Sequence, residues 1–175
     1  LKNGDGPLVS MRADMDGLPV EEKSGLEYAS KAQQVDPITG NEVFVMHACG
    51  HDVHTSSLLG VLHILNELKD ELPCKFRCIF QPGEERLPGG ASKMIADGVL
   101  KNPDAQLIIG QHVHPSFIAG TVGVKPEASM ASTDELYFTI KGRGGHGALP
   151  QNVIDPIYIS AQIINALQSI VSRNA

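Results

Sequence analysis

Four short clusters of metal-competent and proton-transferring side chains punctuate this 175-residue sequence. They are Arg12-Ala-Asp-Met-Asp16, His47-Ala-Cys-Gly-His-Asp-Val-His54, Gln81-Pro-Gly-Glu-Glu85 and Gly110-Gln-His-Val-His114. Imidazole, thiolate and carboxylate together suit a borderline divalent transition ion such as Zn, Ni, Mn or Fe. The set holds more candidates than one tetrahedral site can use, which points to two ions sharing a bridging ligand or water. Two such ions activate a water and steady the oxyanion that its attack creates. The adjacent Glu84 and Glu85 suit a division of labour. Neighbouring residues on an extended segment point different ways, so one carboxylate can ligate while the other accepts the water's proton.

Each cluster needs an element to carry it. Leu8–Ala13 reads as a strand after a turn-rich lead-in, and Arg12–Asp16 lies at its end. Residues 17–42 read as irregular and polar, broken by Pro19, Pro37 and Gly40, before the short apolar run Val43–Met46. From Asp52 a helical period places Val53, Leu58, Leu59, Leu62, Leu65 and Leu68 on one face, and Pro73 ends it. Cys74–Phe80 alternates as a strand, Ala91–Leu100 reads as a short helix, and Leu107–Ile109 as a buried strand. This order predicts an α/β fold, a mostly parallel sheet with flanking crossover helices. Ligands of such sheets bind beyond the carboxyl ends of the strands. Every cluster either follows a strand or opens the long helix, so all converge on one rim. After Pro126 the rhythm changes to an alternating strand at Glu135–Lys141, a Gly-rich loop at 142–150 and an amphipathic helix from Asp155 to about Arg173. A boundary near Lys125–Pro126 therefore separates residues 1–125 from the start of a second domain at 126–175.

The remaining histidines and cysteines have plainer readings. His47 and His54 read as capping or packing residues, and His63 as a surface or packing histidine on the long helix. Cys74 and Cys78 share a strand face roughly 13 Å apart, too far to chelate together, and read as core thiols. Cys49 precedes a helix N-terminus, an environment that favours a thiolate, either as ligand or as nucleophile. Hydrophobic residues at 42% and charged residues at 19% exclude a disordered chain. A net charge of −6 argues against nucleic acid or an anionic membrane as main partner. No apolar run approaches the ~20 residues of a membrane span, and three cysteines, an odd number, suggest reduced thiols or ligands. The expected location is cytoplasmic. The chain opens on Leu1 and closes inside a helical pattern, so it reads as a piece of something longer.

Arg12-Ala-Asp-Met-Asp-Gly-Leu-Pro19, His47–His54, Gln81–Glu85, Gly89–Ile95, Gly110–Pro115, Gly142–Pro150 and Ile154–Ile157 together resemble one known group. This is the N-acyl-amino-acid amidohydrolases, the hippurate-hydrolase and auxin-conjugate-hydrolase branch of the aminoacylase and metallo-carboxypeptidase family. The resemblance leaves out residues 31–43, which look like an insertion. It implies a zinc-peptidase-like catalytic domain, here partial, plus the beginning of an α+β lid domain through which a homodimer forms. It implies Cys49, His51, Glu85 and His112 as ligands of two divalent ions (Zn, Mn, Ni or Co), with Glu84 as general base and acid. Asp16 matches a position that orients a ligand, expected to be His51, and Asp14 a position that is histidine in the peptidase branches. His146 matches a lid histidine that steadies the oxyanion in the partner's site. A further histidine ligand that family members carry near the C-terminus has no match here, so the chain alone is expected to be inactive. Gln151 stands where histidine is common and His114 where an aromatic is common. The implied reaction is hydrolysis of the amide of a small N-acyl amino acid. The alternatives are a dipeptidase or carboxypeptidase of the same family, a non-catalytic metal-binding or dimerisation module, and Cys49 as a thiol nucleophile.

Overall fold

The computed structural model describes residues 1, 5–128, 130 and 133–174, with the backbone alone for 172–174. Contacts divide the chain into two compact units, Leu1–Val122 and Gly123–Ala175. The first holds strands β1 (Leu8–Asp14), β2 (Gln33–Val35), β3 (Glu42–Phe44), β4 (Lys75–Gln81) and β5 (Leu107–Gly110), with helices α1 (His51–Glu67) and α2 (Gly90–Ala96). The second holds α3 (Pro156–Asn174). The structure is mixed α/β, and no helix among the described residues is long and apolar enough to cross a membrane.

In the first unit β1 is the centre of a parallel three-stranded sheet ordered β4-β1-β5. The register sets Asp14 opposite Gln81 and Arg12 opposite Gly110, so the three carboxyl ends finish on one edge. Leu8, Ala13, Leu58, Phe76 and Ile79 are the buried apolar core, with the strand residues divided between the two faces of the sheet. The buried stripe of α1 is His51, His54 and Leu58, continued by the half-buried Leu62 and Leu65. Val53 and Leu59, expected on that face, are 48% and 52% exposed because they fall more than a quarter of a turn to its sides. Leu107, Ile108 and Ile109 were expected to be buried and are 53%, 47% and 42% exposed. The cause is topological, since among the described residues β5 is an edge strand that pairs with β1 alone. Helix α2 is shorter than its expected span to Leu100, and Gly98 at φ 87° turns the chain away just beyond its end.

The stretch from 17 to 42, expected to be irregular, contains half of an antiparallel hairpin that pairs Gln33 with Phe44 and Val35 with Glu42. Its turn is made by Asp36, whose Oδ1 accepts the Ile38 and Thr39 amides at 2.7 and 3.3 Å. Asp36 is the only buried residue between positions 15 and 50.

In the second unit α3 begins as its sequence dictates. Asp155 Oδ1 accepts the Ile157 and Tyr158 amides at 2.8 and 3.3 Å, and Pro156 takes the first helical position, where no amide is needed. The strand expected at Glu135–Lys141 is not formed. Its alternation is present, but among the described residues it has no ladder partner to register against.

Candidate metal centre

The common edge of the sheet gathers the expected clusters of the first unit. Asp14 ends β1 and Asp16 follows it, Glu84 and Glu85 follow β4, His112 follows β5, and Cys49 and His51 sit at the start of α1. Gly50 makes the last junction possible. It caps α1 in the left-handed region at φ 81°, and a Cβ there would collide with the Val113 side chain. The turn bearing Cys49 and the loop bearing His112 are thereby in contact, and Cys49 Sγ lies 3.5 Å from His112 Nε2.

Three overlapping sets of side chains could hold an ion: Cys49 with His51 and His112, His51 with Glu84 and Glu85, and Asp14 with His51 and His54. His51 is common to all three. Its Nδ1 faces Asp16 Oδ1 at 3.2 Å, which fixes the proton on that nitrogen. The other nitrogen, Nε2, is buried and has no hydrogen-bond partner. It looks toward Glu85 Oε1 at 3.6 Å, Asp14 Oδ1 at 3.8 Å and Glu84 Oε2 at 3.9 Å. Those separations exceed hydrogen-bonding range. A lone pair facing three carboxylates at that distance is repelled by all of them unless a cation lies between. His112 is set the same way, for its Nδ1 donates to the Val113 carbonyl at 2.6 Å and leaves the Nε2 lone pair toward Cys49. The donor set is therefore chemically suited to a borderline divalent ion.

The third set does not survive its hydrogen bonds. His54, fully buried, donates from Nδ1 to Asp14 Oδ1 at 2.6 Å and accepts the Val113 amide on Nε2 at 2.9 Å. Both ring nitrogens are spent, so His54 ties the end of β1 to the His112 loop instead of offering a lone pair. This is the packing role read from the sequence, with a specific partner on each side. His47 is exposed and bonds the Asp16 carbonyl at 3.2 Å, and His63 is exposed beside Glu67.

Electrostatics divide the carboxylates from the thiol. Burial pushes Asp14 up, but the His54 hydrogen bond and the charges of Arg12, His51 and His54 outweigh it, and its pKa is lowered. Asp16 is likewise lowered, burial being overcome by the amides of Glu85, Glu84 and Asp16 itself and by His51. Cys49 moves the other way. Burial, a hydrogen bond to Glu85 and the charges of Glu85, Glu84 and Asp14 all raise its pKa. Without a cation, the partial charge of a helix end is outweighed by three nearby carboxylates, so the helix N-terminus does not by itself favour the thiolate. A cation held among them would reverse that balance.

Other expectations resolve locally. Cys74 and Cys78 are free and half-buried, less enclosed than core thiols. His114 stacks at a tilt on Phe117. His146 and Gln151 belong to the second unit, where His146 Nδ1 accepts the Ala148 amide at 3.1 Å. The sequence reading missed two ties, Arg12 and Arg86. Arg12 bonds Gln81 at 2.8 Å and Asp14 at 2.7 Å, joining the ends of β4 and β1, and its place inside the first cluster was the available signal.

The chain is 48% identical over 170 residues to an N-acetyl-L-cysteine deacetylase of Bacillus subtilis (strain 168), covering 97% of this chain and 38% of that protein. It is 42% identical over 168 residues to an N-acyl-L-amino acid amidohydrolase of Geobacillus stearothermophilus, covering 96% and 42%. It is also 42% identical over 172 residues to thermostable carboxypeptidase 2 of Saccharolobus solfataricus, covering 98% and 41%. A solved structure named as an aminohydrolase from methicillin-resistant Staphylococcus aureus superposes with a TM-score of 0.67 at 33% identity, covering 97% of this chain and 42% of that one. The chain thus spans about two-fifths of the length of the relatives it matches. The sequence model of peptidase family M20/M25/M40 matches residues 10–173, and this chain, with its α/β sheet and its rim of imidazole, thiol and carboxylate, belongs to that hydrolase family.

Proposed function

We propose that this chain carries the metal-binding part of an amidohydrolase site that cleaves the amide bond of a small N-acyl amino acid. The observation that supports this best is His51 Nε2, a buried and unpartnered ring nitrogen facing Asp14, Glu84 and Glu85. In this reading Cys49, His51, Glu85 and His112 hold two divalent ions (Zn, Mn, Ni or Co), and Asp16 orients His51. When bound, such ions supply Lewis acidity, lowering the pKa of water and stabilising charge on an acyl oxygen. Glu84, whose side chain is 42% exposed, is open to take the water's proton and return it to the leaving amine. His146 serves to steady the oxyanion, with the residues from 126 onward forming the start of a lid through which two chains pair. The net charge of −6 suits a small-molecule substrate better than nucleic acid or a membrane.

The names of the deacetylase and amidohydrolase relatives favour an N-acyl amino acid, and that of the carboxypeptidase supports the runner-up, a peptidase at the same site. The test expresses the sequence at the relatives' full length and assays N-acyl amino acids beside free dipeptides. Expected are hydrolysis of the acyl compounds, loss on chelation, restoration by Zn, Mn, Ni or Co, and a fall in kcat of about 10²–10⁴-fold for Glu84→Gln. Cleavage of peptides alone would favour the peptidase. Metal content without turnover would favour a binding module. Inactivation by thiol alkylation with metal still bound would revive Cys49 as nucleophile. The 175-residue chain alone is expected to bind metal without turnover.

A further inference from the structure

The hairpin left out of the family resemblance ends at the carboxylate loop. Strand β2 is exposed throughout and β3 nearly so, yet Asp36 in the turn between them is buried. A two-stranded ribbon with no apolar face is marginal unless something anchors it. At its base the ribbon continues into a backbone bridge between Met46 and Leu18, and at its turn the anchor is Arg86, whose Nη2 and Nη1 reach Asp36 Oδ2 and Oδ1 at 2.9 and 3.5 Å, a two-pronged contact across fifty residues of sequence. Arg86 directly follows Glu85. On the other side of the same loop, the Glu85 amide donates to Asp16 Oδ2 at 3.1 Å. A cavity of about 390 Å³ separates the two attachments, walled by Leu18, Val35 and Pro37 and bordered by Glu85 and Arg86. The loop is therefore pinned at successive residues, once to the end of β1 and once to the hairpin.

We infer that the Asp36–Arg86 pair is a latch by which the β2–β3 hairpin positions the Glu84–Glu85 carboxylates, making Arg86 and Asp36 positioning residues of the metal centre. The inference rests on the metal-site reading above. Two features give the latch directional force. Asp36 is fixed first by its own turn, so the carboxylate Arg86 meets is already oriented. Arg86 lies in the segment Gly83–Gly90, whose ends are joined by the Gly90 amide on the Gly83 carbonyl at 2.8 Å. A displacement at Arg86 in so short a loop carries Glu85 with it. The Arg86–Asp36 hydrogen bond holds the Asp36 carboxyl at a pKa of about 2, so the latch stays charged at any neutral or mildly acidic pH.

The test titrates the chain with Zn²⁺ against a chromophoric chelator and records the Co²⁺ absorption spectrum, in wild type and in D36N, R86Q, R86K and E85Q. D36N keeps the oxygen that makes the turn, so it removes the charge on Arg86's partner without undoing the hairpin. Expected are about tenfold weaker Zn²⁺ binding and an altered Co²⁺ spectrum for D36N and R86Q, the lower end of the usual loss for a group behind a ligand. The D36N/R86Q double variant should be no weaker than either single one, and R86K should fall between R86Q and wild type, because the charge remains but lysine cannot reproduce the two-pronged contact. E67Q on the outer face of α1 is the control. If D36N and R86Q bind Zn²⁺ as wild type does while E85Q loses it, the latch is overturned and the metal centre stands. If E85Q also binds as wild type does, both are overturned.

Discussion

His54 gives the sharpest prediction, because a ligand and a tie respond differently when no metal is present. Replacing it with alanine removes a buried hydrogen bond to the charged Asp14 and leaves the Val113 amide, partly buried in its bond to His54, without an acceptor. A bond to a charged group contributes about 1.5–3 kcal/mol, and an orphaned buried donor costs about 1–3 kcal/mol. The expected loss for H54A is therefore about 2.5–6 kcal/mol, a large share of the ~5–15 kcal/mol that stabilises a domain. Asparagine can keep a donor near the Nδ1 position but cannot reach Val113, so H54N should lose about half as much. The assay is urea unfolding of the chelator-treated chain, followed by far-ultraviolet circular dichroism. D14N and H54A should be markedly non-additive, since they remove the same contact. A loss below about 1 kcal/mol for metal-free H54A, or a loss that appears only when Zn²⁺ is added, would show that His54 acts as a ligand and that the tie is wrongly assigned.

Three further outcomes follow from other contacts. G50A should be destabilised by more than about 2 kcal/mol in thermal or urea unfolding, since alanine meets both a left-handed backbone and the Val113 side chain. Because the Cys49 pKa is raised, Cys49 of the metal-free chain should react slowly with iodoacetamide at pH 7.5, ~1 unit below an ordinary thiol, as read at that residue by peptide mapping. E85Q should react faster, having lost a neighbouring negative charge, and equal rates would refute the electrostatic assignment. Asp36 contributes stability that is fully present above its unfolded pKa of 3.8 and lost as pH falls toward about 2. Hydrogen exchange of the hairpin amides, corrected for intrinsic rate, should thus be flat from pH 7 to 5 and should rise below 3.8, a rise that D36N lacks.

How far the sequence foretold this structure depends on the range of the interaction. Strands β1 and β4 and helix α1 were legible because apolar spacing is a local signal, and α3 because Asp155-Pro156 is a local start. The hairpin was not legible, since Gln33-Gln34-Val35 has no strand character of its own and is held through Asp36 by an arginine fifty residues on. Glu135–Lys141 failed in the opposite sense, with a strand's alternation but no strand to pair with among the described residues. At the rim, convergence of Asp14, Asp16, Cys49, His51, Glu84, Glu85 and His112 followed from topology alone. The state of the Cys49 thiol did not, because it is set by the sum of charges that only folding brings together.

Strand β5 has a consequence for how the chain behaves in concentrated solution. Leu107, Ile108 and Ile109 place three consecutive apolar side chains, each at least 42% exposed, on a strand with one ladder edge unpaired among the described residues. Such a strip is a template onto which any extended segment can zip, backbone to backbone. Light scattering that rises steeply with protein concentration is the expected sign. The shelf life of a preparation of these 175 residues is then governed by encounters between copies, not by how firmly each copy is folded.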